Sequence, residues 1–600
     1  MTAHRYRIVP ANPGGHLFEV TLEVAEPDPA GQVISMPAWI PGSYLIRDFA
    51  RHVVTIRAHA GDRELELTKV DKSTWQAEPC LEPITFTAEI HACDMSVRGA
   101  HLDTTHAYFN GTSVFPRVEG QESTACEVEI LPPPEPIGHD WRVATSMRRK
   151  DAPQYGFGTY TAPDYDQLID HPVEIGNLAI GEFEAGGVPH AIAIRGHTRI
   201  DMARICHDLA TVCEQHQKLL GVPQDLDRYL FLLLVLPDGY GGLEHRWSSS
   251  LVCSRGDLPL RGETGVKKGY RTLLGLCSHE YFHLWNVKRM KPERFTPYDL
   301  RSEIHTGLLW VFEGITSYYD NLVLVRSGVI ARESYLELLS RTMTRVARSR
   351  GRFRQSVEES SFDTWTKFYR QDAHSTNMIV SYYAKGALIA LSLDLTIRRD
   401  TGNTVSLDDV MRECWRRFGE AGAGMPERGL ESVAREVTGL DLREFFERYV
   451  RGTTDLPLSK LLSDFGVIVR QRVAESNDDM GGKPASADFT PAPWLGMSLV
   501  SKGGRELVSV VHAGSPAEKA GLAPGDEVVA LNDVRWTAGA FDSRLREYHA
   551  GDRVTIAVFR NDELLRFKAR LAEPPADTVY LELTKDGDQK AEQNLTAWLS

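Results

Sequence analysis

The sequence has few of the features that mark membrane, secreted or nucleic-acid-binding proteins. Its longest continuous apolar run, Tyr229 to Leu236, is far shorter than the ~20 residues that a membrane helix needs. The first twenty residues contain no apolar h-region, so the sequence predicts no signal peptide and a cytoplasmic protein. The formal net charge of −14 disfavours nucleic acid as a partner, because the phosphate backbone of nucleic acid binds basic protein surfaces.

Cysteine pairs and internal repeats are absent as well. The sequence has 8 cysteines, but they are scattered and no two have the C-x-x-C spacing. We therefore expect buried, reduced thiols. With 42% hydrophobic and 25% charged residues, the composition is that of an ordinary globular protein. The chain of 600 residues is too long for one core, and its length predicts about three to four domains.

The residue pattern changes near residue 168. Residues 1–168 contain short alternating runs, such as Phe18 to Val24, between clusters of Pro, Gly and Asp, which is typical of a β-sandwich. Residues 169–455 begin with a few strands, among them the apolar run Tyr229 to Leu236, and continue with long helical patterns. Helices are predicted at 267–290, 305–326, 332–350, 380–399 and 406–420.

The remaining residues are predicted to form three further segments. Residues 456–491 are a connecting strand and a linker rich in Gly, Pro, Ser and Asp. Residues 492–575 are a compact β-rich unit. Residues 576–600 are a C-terminal tail, in which the polar stretch 585–593 is expected to fray. The chain is therefore predicted to be a multidomain α+β protein.

The segment His279-Glu280-Tyr281-Phe282-His283 carries the strongest chemical signal. On a helix, residues four apart lie on one face, so both imidazoles can bind one tetrahedral zinc ion. Glu280 stands beside them, where a carboxylate can take a proton from the attacking water. No Pro or Gly occurs between 276 and 291, which favours a helix. A chance match or a structural histidine pair has the same pattern, so a third ligand is needed.

Glu313 is the candidate for that third ligand. It is an acidic residue in the otherwise apolar helical stretch 308–315, and a buried carboxylate without a partner is costly. Two histidines and a glutamate leave one zinc position open, which is the catalytic arrangement. Asp320 lies two helical turns further on. It is predicted either to accept a hydrogen bond from a ligand histidine or to be a plain surface charge.

Two other segments fit a peptidase site. Gly241 and Gly242 follow the buried strand and allow a bound peptide to approach the backbone, and Glu244 can meet a free α-amino group. Tyr383 begins another apolar helix, and its hydroxyl can stabilise an oxyanion near a metal. Each segment alone is a weak signal, because Gly-rich turns and buried tyrosines are common.

In this order, these segments resemble the gluzincin metallopeptidases of the aminopeptidase N type. The closer resemblance is to the glycyl aminopeptidase family, whose members carry a C-terminal PDZ domain. It rests on the sequence PAWIPGSYLIRDF at 37–49, which looks like the signature of that family's N-terminal domain. It also rests on the sequence GLEH at 242–245, in place of the methionine-glutamate-asparagine of aminopeptidase N. The resemblance covers about residues 1–575.

The resemblance implies a thermolysin-like α/β catalytic domain that binds one Zn²⁺ per chain. The implied zinc ligands are His279, His283 and Glu313. Glu280 is implied as the general base. The interval between His283 and Glu313 is longer than in aminopeptidase N, so loop 286–304 is expected to differ.

The resemblance also assigns roles around the substrate. Tyr383 is implied to stabilise the tetrahedral intermediate, with the adjacent Tyr382 as a rival for that role. Glu244 is implied to anchor the substrate's amino group. His245 departs from the aminopeptidase N pattern, which leaves exopeptidase specificity more open than zinc binding.

Three residues of the 37–49 segment have two interpretations. Trp39, Tyr44 and Arg47 either line the substrate cleft or form a structural corner. The sequence shows no titratable partner for them, which favours the structural interpretation.

The sequence from Trp494 to Val528 looks like a PDZ domain. It contains the string GSPAEKAGLAPGD at 514–526, which predicts a capped short helix followed by a tight turn. The loop Leu495-Gly496-Met497 is then predicted to present backbone N–H groups to a peptide's C-terminal carboxylate. A PDZ fold that only packs against the catalytic domain is the open alternative.

Three functions follow, in order of preference. The first is a zinc aminopeptidase that releases small N-terminal residues, Gly or Ala, from peptides with a free N-terminus. The second is a zinc endopeptidase guided by its PDZ domain, which binds a peptide C-terminus. The third is a non-catalytic peptide-binding scaffold, for which a damaged set of zinc ligands would be expected.

Overall fold

A computed structural model describes residues 2–196, 199–537, 539, 541–584 and 588–600. Two units make up the chain. The first comprises Met1–Ile304, Arg326–Ile330 and Cys414–Pro426, and the second comprises His305–Val325, Ala331–Glu413 and Glu427–Ser600.

The N-terminal part of the first unit is β-rich, as the alternating pattern predicts. In the strand Leu17–Val24, Phe18, Val20 and Leu22 are buried, while the residues between them are half-exposed, so one face of the sheet forms the core. The eight-stranded sheet has the order Arg148–Arg149, Gly158–Ala162, Cys126–Ile130, His4–Asn12, Leu17–Val24, Ile84–His91, Val53–Ala60 and Arg63–Leu65.

Two four-stranded sheets accompany it. One has the order Arg142–Thr145, Val173–Gly176, His106–Phe109 and Ala100–Leu102. The other has the order Arg117–Val118, Val33–Ser35, Thr74–Ala77 and Leu67–Lys69. Short helices connect the strands at Pro13–Gly15, Phe49–His52, Gly111–Val114 and Tyr165–Leu168.

The segment 37–49 packs against the loop that follows the HExxH sequence. Trp39 is fully buried, and its Nε1 donates a hydrogen bond to the carbonyl of Asp299 over 2.8 Å. Its ring meets that of Tyr298 edge-on, with centroids 5.7 Å apart. Arg47 donates to the hydroxyl of Ser43 over 2.7 Å. Trp39 and Arg47 therefore have the structural contacts that the preferred interpretation expects.

The central sheet of the first unit has five strands. Its order is Leu178–Ala185, Val188–Arg195, Tyr229–Leu236, Ser248–Ser254 and Tyr240–Glu244. The strand Tyr229–Leu236 has the predicted bounds and is largely buried, which confirms the prediction. The strand Tyr240–Glu244 lies at the edge, antiparallel to Ser248–Ser254. Helices of this region are Met202–Leu220, Arg255–Asp257, Lys268–Phe282 and Glu293–Phe295.

The helix predicted at 267–290 is shorter than expected. It runs over Lys268–Phe282, with His283 as its C-cap. Beyond it the chain turns back, because the N–H of Lys288 bonds to the carbonyl of His283 and the N–H of Val287 bonds to that of Met290. Val287 has a φ of 109°, a conformation that a β-branched residue rarely adopts. Tertiary contacts thus end a helix that contains no Pro or Gly.

Helices dominate the catalytic part of the second unit. The predicted helix 305–326 consists of a π-helical turn, Trp310–Gly314, followed by the α-helix Ile315–Arg326. The other helices are Arg332–Arg348, Arg350–Phe353, Val357–Phe362, Thr364–Phe368, Ser375–Met378, Ala384–Thr401, Leu407–Cys414, Gly429–Thr438, Arg443–Phe446, Glu447–Arg451 and Leu458–Ser463. In the first unit, Trp415–Glu420 is π-helical. None of the described helices is long and apolar enough to cross a bilayer.

The C-terminal part of the second unit contains a PDZ-like sheet. Its strands are Met497–Lys502, Arg505–Val511, Glu527–Leu531, Arg553–Arg560 and Glu563–Arg570, with Val534–Arg535 beside the third. The short helices are Pro516–Ala520 and Phe541–Leu545. The expected α+β class, with a β-rich N-terminal domain, a helical catalytic part and a C-terminal PDZ-like sheet, is confirmed.

The last residues are more ordered than their polarity predicts. The strand Thr578–Leu583 pairs with Val467–Arg472, and the helix Gln589–Leu599 follows. Trp598 is buried, and its Nε1 donates to the hydroxyl of Tyr318 over 3.0 Å. The expectation of fraying is therefore wrong for 589–593, because this apolar anchor holds the helix in place. Residues 585–587 lie outside the described residues.

Candidate active site

The two motif histidines lie at the C-terminal end of the helix Lys268–Phe282. His279 is half-buried and His283 is buried. Their Nε2 atoms are 3.1 Å apart. Two nitrogens at the usual Zn–N bond length, about 2.0–2.1 Å, and at a tetrahedral angle lie about 3.3–3.4 Å from each other. The pair therefore has the spacing that one tetrahedral metal ion requires.

The orientation of the second imidazole is fixed by the turn after the helix. His283 Nδ1 lies 2.7 Å from the carbonyl oxygen of Asn286. A carbonyl only accepts hydrogen bonds, so Nδ1 carries the proton and donates it. Nε2 is then left with its lone pair, which is the form that binds a metal. Because the helix ends before His283, the turn that follows can hold this imidazole in the orientation that binds a metal.

Glu280 faces the edge strand Tyr240–Glu244. The carboxylate is buried, and it lies so close to Gly242 that a Cβ atom there would be 2.0 Å from Glu280 Oε1. A Cβ at Gly241 would find nothing closer than Arg98 Nη1, at 3.8 Å. Of the two predicted glycines, Gly242 is therefore the one whose missing side chain makes room for the predicted base.

Glu244 joins this group from the end of the same strand. One oxygen of Glu244, one of Glu280 and one nitrogen of His283 all lie within 4.8 Å of one another. Glu244 is 3% exposed, and its Oε1 has no hydrogen-bond partner among the described residues. Gly42 packs against it with a φ of 98°, and a Cβ there would be 2.6 Å from Glu244 Oε1. A buried carboxylate in this state favours a cationic partner.

The residue after Glu244 leads into a buried ion network. His245 donates through Nδ1 to Asp170 over 3.1 Å, and Lys288 Nζ lies 2.7 Å from the same carboxylate. Burial raises the pKa of Asp170, but the charge of Lys288 and the hydrogen bond from His245 outweigh it and hold the pKa well below its ordinary value. His245, which departs from the aminopeptidase N pattern, thus has a structural partner.

Removing the charge of Asp170 is expected to destabilise the protein strongly. Asp170→Asn leaves Lys288 buried without a counter-charge, so we expect the free energy of unfolding to fall by about 3–5 kcal/mol. Asp166→Asn is the matched control, because Asp166 pairs with Arg246 over 2.8 Å but its side chain is 47% exposed. Its loss is expected to be below about 1 kcal/mol. Urea denaturation followed by tryptophan fluorescence measures both, and equal losses would contradict the assignment.

In the second unit, Glu313 sits in the π-helical turn Trp310–Gly314. Its side chain is buried, and π-turns interrupt α-helices mostly at functional sites. The next residue, Gly314, touches Gly386 of the helix Ala384–Thr401, where a Cβ on Gly314 would lie 2.7 Å from Gly386 Cα. Both predicted motifs end in glycine because the two helices meet there backbone to backbone.

This close crossing brings the two candidate tyrosines into the field of Glu313. The charge of Glu313 and burial both raise the pKa of Tyr382 and of Tyr383 well above the ordinary value, burial being the larger cause. The hydroxyl of Tyr382, which is fully buried, accepts a hydrogen bond from Thr364 over 3.0 Å. Tyr383 is half-exposed, and its hydroxyl lies 3.4 Å from that of Tyr369. The structure therefore favours Tyr383 as the tyrosine that can reach a ligand.

The predicted metal ligands are His279 and His283 of the first unit and Glu313 of the second unit. Their arrangement around one ion stays a prediction. Two imidazoles and a carboxylate are donors that zinc prefers, and three ligands leave a position open. These residues therefore fit a catalytic zinc ion. Asp320 is half-exposed, and its Oδ1 accepts a hydrogen bond from the side chain of Asn321 over 2.6 Å. Its role beside a ligand histidine stays a prediction.

The predicted peptide site of the PDZ part lies beside a cavity. Leu495 and Met497 are buried, and Gly496 has a φ of 80°, so the loop is tightly turned. A cavity of about 390 Å³ is lined by this loop, by Phe541 and by Leu545. The strand Met497–Lys502 lies at the outer edge of its sheet, where a peptide strand can add. Peptide binding here stays a prediction.

Several residues of the site were missed by sequence reasoning. Gly42 lies in the quoted 37–49 sequence, and a Pro-Gly pair signals a turn with positive φ, yet nothing local shows that it touches Glu244. Asp170, Asn286 and Tyr369 belong to no motif. Asp170 makes its contacts across the fold, and the contact of Asn286 depends on the turn that follows the motif helix, so no sequence signal was available for them.

Comparisons with known proteins identify the family and the fold. Three family models match the chain: the Peptidase M61 N-terminal domain over residues 5–177, M61 glycyl aminopeptidase over 272–389, and a PDZ domain over 493–571. The crystal structure of an aminopeptidase N family protein from Idiomarina loihiensis is 38% identical, with a TM-score of 0.95 and 100% of each chain covered. No curated protein sequence matches the chain.

A weaker similarity is to an M1 zinc metallopeptidase from Deinococcus radiodurans. That crystal structure is 13% identical, covers 76% of this chain and 94% of its own, and has a TM-score of 0.48, too low to support an inference.

The fold and the family matches define the protein as a metallopeptidase. More narrowly, the chain belongs to the M61 glycyl aminopeptidase family and ends in a PDZ domain, which confirms the resemblance seen in the sequence.

Proposed function

We propose that this metallopeptidase is a zinc-dependent aminopeptidase that removes small N-terminal residues, glycine or alanine, from peptides. The observation that carries the proposal is Glu244. Its buried carboxylate lies within 4.8 Å of the group formed by Glu280 and His283, and one of its oxygens has no hydrogen-bond partner among the described residues. Two buried carboxylates this close repel each other, and a substrate's α-ammonium group relieves that repulsion.

The proposed roles follow from the contacts of each side chain. His279, His283 and Glu313 would hold the zinc ion, which when bound supplies a Lewis acid for the scissile carbonyl and lowers the pKa of water. Glu280 accepts the proton of the attacking water and returns it to the leaving amine. Tyr383 donates a hydrogen bond to the developing oxyanion, since it is half-exposed whereas Tyr382 is fully buried.

Gly241 and Gly242 are proposed to border the substrate. The edge strand that contains them offers backbone groups to a peptide, and the absence of side chains allows the peptide to come close. The preference for glycine or alanine rests on the family, whose matching model is described as a glycyl aminopeptidase. The proposed partners are a peptide substrate with a free N-terminus and, at Leu495 to Met497, the C-terminus of a peptide.

A second candidate function is a PDZ-guided zinc endopeptidase. The strand Met497–Lys502 supports it, because it lies at the outer edge of its sheet, where a peptide strand can add, and it begins beside a cavity of about 390 Å³ that Arg348 and Arg350 of the helical part also line. Cleavage of an N-acetylated protein by the full chain, lost on deletion of 492–575, would favour this function over the aminopeptidase.

Replacing Glu244 tests the amino anchor. Glu244→Gln keeps the shape of the side chain but removes its charge. We expect kcat/KM on free glycyl and alanyl peptides to fall by about 10- to 100-fold, which corresponds to the free energy of a hydrogen bond between charged groups. N-acetylated versions of the same peptides should be poor substrates for both proteins. The measurement is release of the free amino acid.

The matched control is Glu174→Gln. Glu174 is equally buried, but burial raises its pKa to about 8, so it is largely uncharged at pH 7 and the substitution changes little. Its activity should stay within about twofold of wild type. Undiminished activity of Glu244→Gln on unblocked peptides would refute the anchor.

A further inference from the structure

A second cluster of metal-binding side chains lies in the N-terminal β-rich part. The strands Ala100–Leu102 and His106–Phe109 form a hairpin closed by the hydrogen bond from Asp103 N to the carbonyl of His106. His101 pairs with Tyr108 across the hairpin. Because side chains alternate along a strand, His101, Asp103 and His106 all point to the face of Tyr108. The hairpin thus brings two histidines and a carboxylate together within six residues.

The donor atoms of this cluster have the spacing of a metal site. His101 Nε2 is 3.2 Å from Asp103 Oδ2, and His106 Nδ1 is 3.4 Å from Asp103 Oδ1. One ligand atom from each residue lies within 4.8 Å of the other two. These separations match the edge of about 3.3–3.4 Å expected for tetrahedral zinc, and they resemble the 3.1 Å between His279 and His283.

The cluster is preorganised and protected. His101 and His106 are 5% and 3% exposed, and their rings lie against each other with centroids 4.6 Å apart. The turn is held in place because Thr105 N–H and hydroxyl both donate to Asp103, and Arg195 donates to the Thr105 carbonyl. Asp103 is half-exposed, so an ion has a route in.

Hydrogen bonds within the hairpin do not satisfy all the ring nitrogens of the two imidazoles. If both donate to Asp103, His101 Nδ1 and His106 Nε2 stay buried, and neither has a hydrogen-bond partner among the described residues. Burying two half-satisfied polar rings is unfavourable. A bound cation that attracts both rings and the carboxylate offsets this cost.

We propose that His101, Asp103 and His106 form a second, structural site for a divalent transition-metal ion, with zinc as the natural occupant. Two imidazole nitrogens and one carboxylate suit zinc, cobalt or nickel, whereas calcium and magnesium require oxygen ligands. The site shares no residue with the proposed catalytic group, and it would bind its ion whether or not the protein hydrolyses peptides.

The position of the hairpin suggests what the ion does. Tyr108 donates to the hydroxyl of Ser250, which belongs to the strand that pairs with Tyr240–Glu244. Arg98, two residues before the hairpin, donates to the carbonyl of Gly242 over 3.1 Å. An ion that rigidifies the hairpin therefore supports the edge strand beside Glu280 from behind.

The test counts metal ions in the full chain. Wild-type protein is stripped with a chelator, loaded with excess Zn²⁺, freed of unbound ion by gel filtration and analysed by mass spectrometry for zinc per chain. We expect about two ions for wild type and about one for His101→Asn and for His106→Asn. Both variants should keep the far-ultraviolet circular dichroism spectrum of wild type, which shows that they fold.

Matched controls separate this site from its surroundings. His16 lies with its ring 6.4 Å from that of His101, but its Nδ1 is engaged with the carbonyl of Leu102, so His16→Asn should still bind two ions. Asparagine also tolerates the left-handed φ of 59° at this position. His106→Cys places a thiolate near the position of Nδ1 and should restore the second ion that His106→Asn loses.

The results that would contradict the hairpin site differ from those that would contradict the proposed catalytic zinc ligands. Retention of the wild-type number of ions by both His101→Asn and His106→Asn overturns the hairpin site, whatever that number is. The double substitution of His279 and His283 by asparagine should leave one ion, the hairpin ion. If that double variant still binds two ions, the catalytic assignment fails while the hairpin result stands on its own variants.

Discussion

Replacing Glu280 by glutamine is expected to lower kcat/KM by about 10³-fold or more while zinc binding stays unchanged. The carboxylate lies with one oxygen within 4.8 Å of a donor atom of His283, so it is placed to accept a proton from water at the site. Glutamine has the same shape but accepts no proton, so the general-base contribution of about 10²–10⁴-fold is lost, together with proton delivery to the leaving amine.

The experiment compares hydrolysis of a free alanyl peptide with metal content per chain. Glu280 is not one of the three proposed zinc ligands, so the variant should hold as many zinc ions as wild type. Glu280→Asp is the second variant, because it keeps the negative charge but moves the carboxylate about 1 Å back. Its activity is expected to lie between those of wild type and Glu280→Gln. Full activity of Glu280→Gln would remove this residue from the mechanism, and a loss of zinc would show that it acts on the metal instead.

Gly242→Ala is expected to lower kcat by about 100-fold with little loss of stability. A Cβ at this position would lie 2.0 Å from Glu280 Oε1 and 2.4 Å from its Cδ. The far end of a glutamate side chain can swing away, so folding tolerates the methyl group. Catalysis does not, because a displacement of about 1 Å in a catalytic group costs on the order of 100-fold.

Gly241→Ala provides the neighbouring control on the same edge strand. The nearest atom to a Cβ there is Arg98 Nη1, at 3.8 Å, which is ordinary van der Waals contact. Neither glycine has a positive φ, so alanine is conformationally acceptable at both. We expect Gly241→Ala to keep kcat within about threefold of wild type and to raise KM, because Gly241 is proposed to border the substrate. Equal effects of the two substitutions would mean that the strand as a whole, and not the position of Glu280, limits catalysis.

The sequence was most informative where the type of a residue indicates by itself whether the residue is buried or needs a partner. The strand Tyr229–Leu236 was predicted with its observed bounds because a continuously apolar run has to be buried. Glu313 was nominated because a carboxylate inside an apolar helix needs a partner, and its side chain is buried in a π-helical turn. The roles of these site residues remain predictions until the variants are measured.

The sequence was least informative where a contact spans the fold. The cluster His101, Asp103 and His106 was missed even though its members are adjacent in sequence, because its spacing belongs to a hairpin and not to a helix, and the alternation becomes meaningful only once the register is known. Likewise, the sequence showed no partner for the 37–49 segment, whereas Gly42 lies against Glu244.

By itself, the sequence determined the family and the α+β class, and it nominated the residues that are proposed to carry the chemistry. Those follow from local rules: four-residue spacing on a helix, alternation on a strand, and the high cost of a buried charge. Only the tertiary structure decided where the motif helix ends, how His283 is oriented and which glycine makes room for Glu280. The first two depend on the geometry of the turn at 283–290, and the third depends on the approach of two segments far apart in sequence. No sequence pattern encodes distances of a few tenths of an ångström.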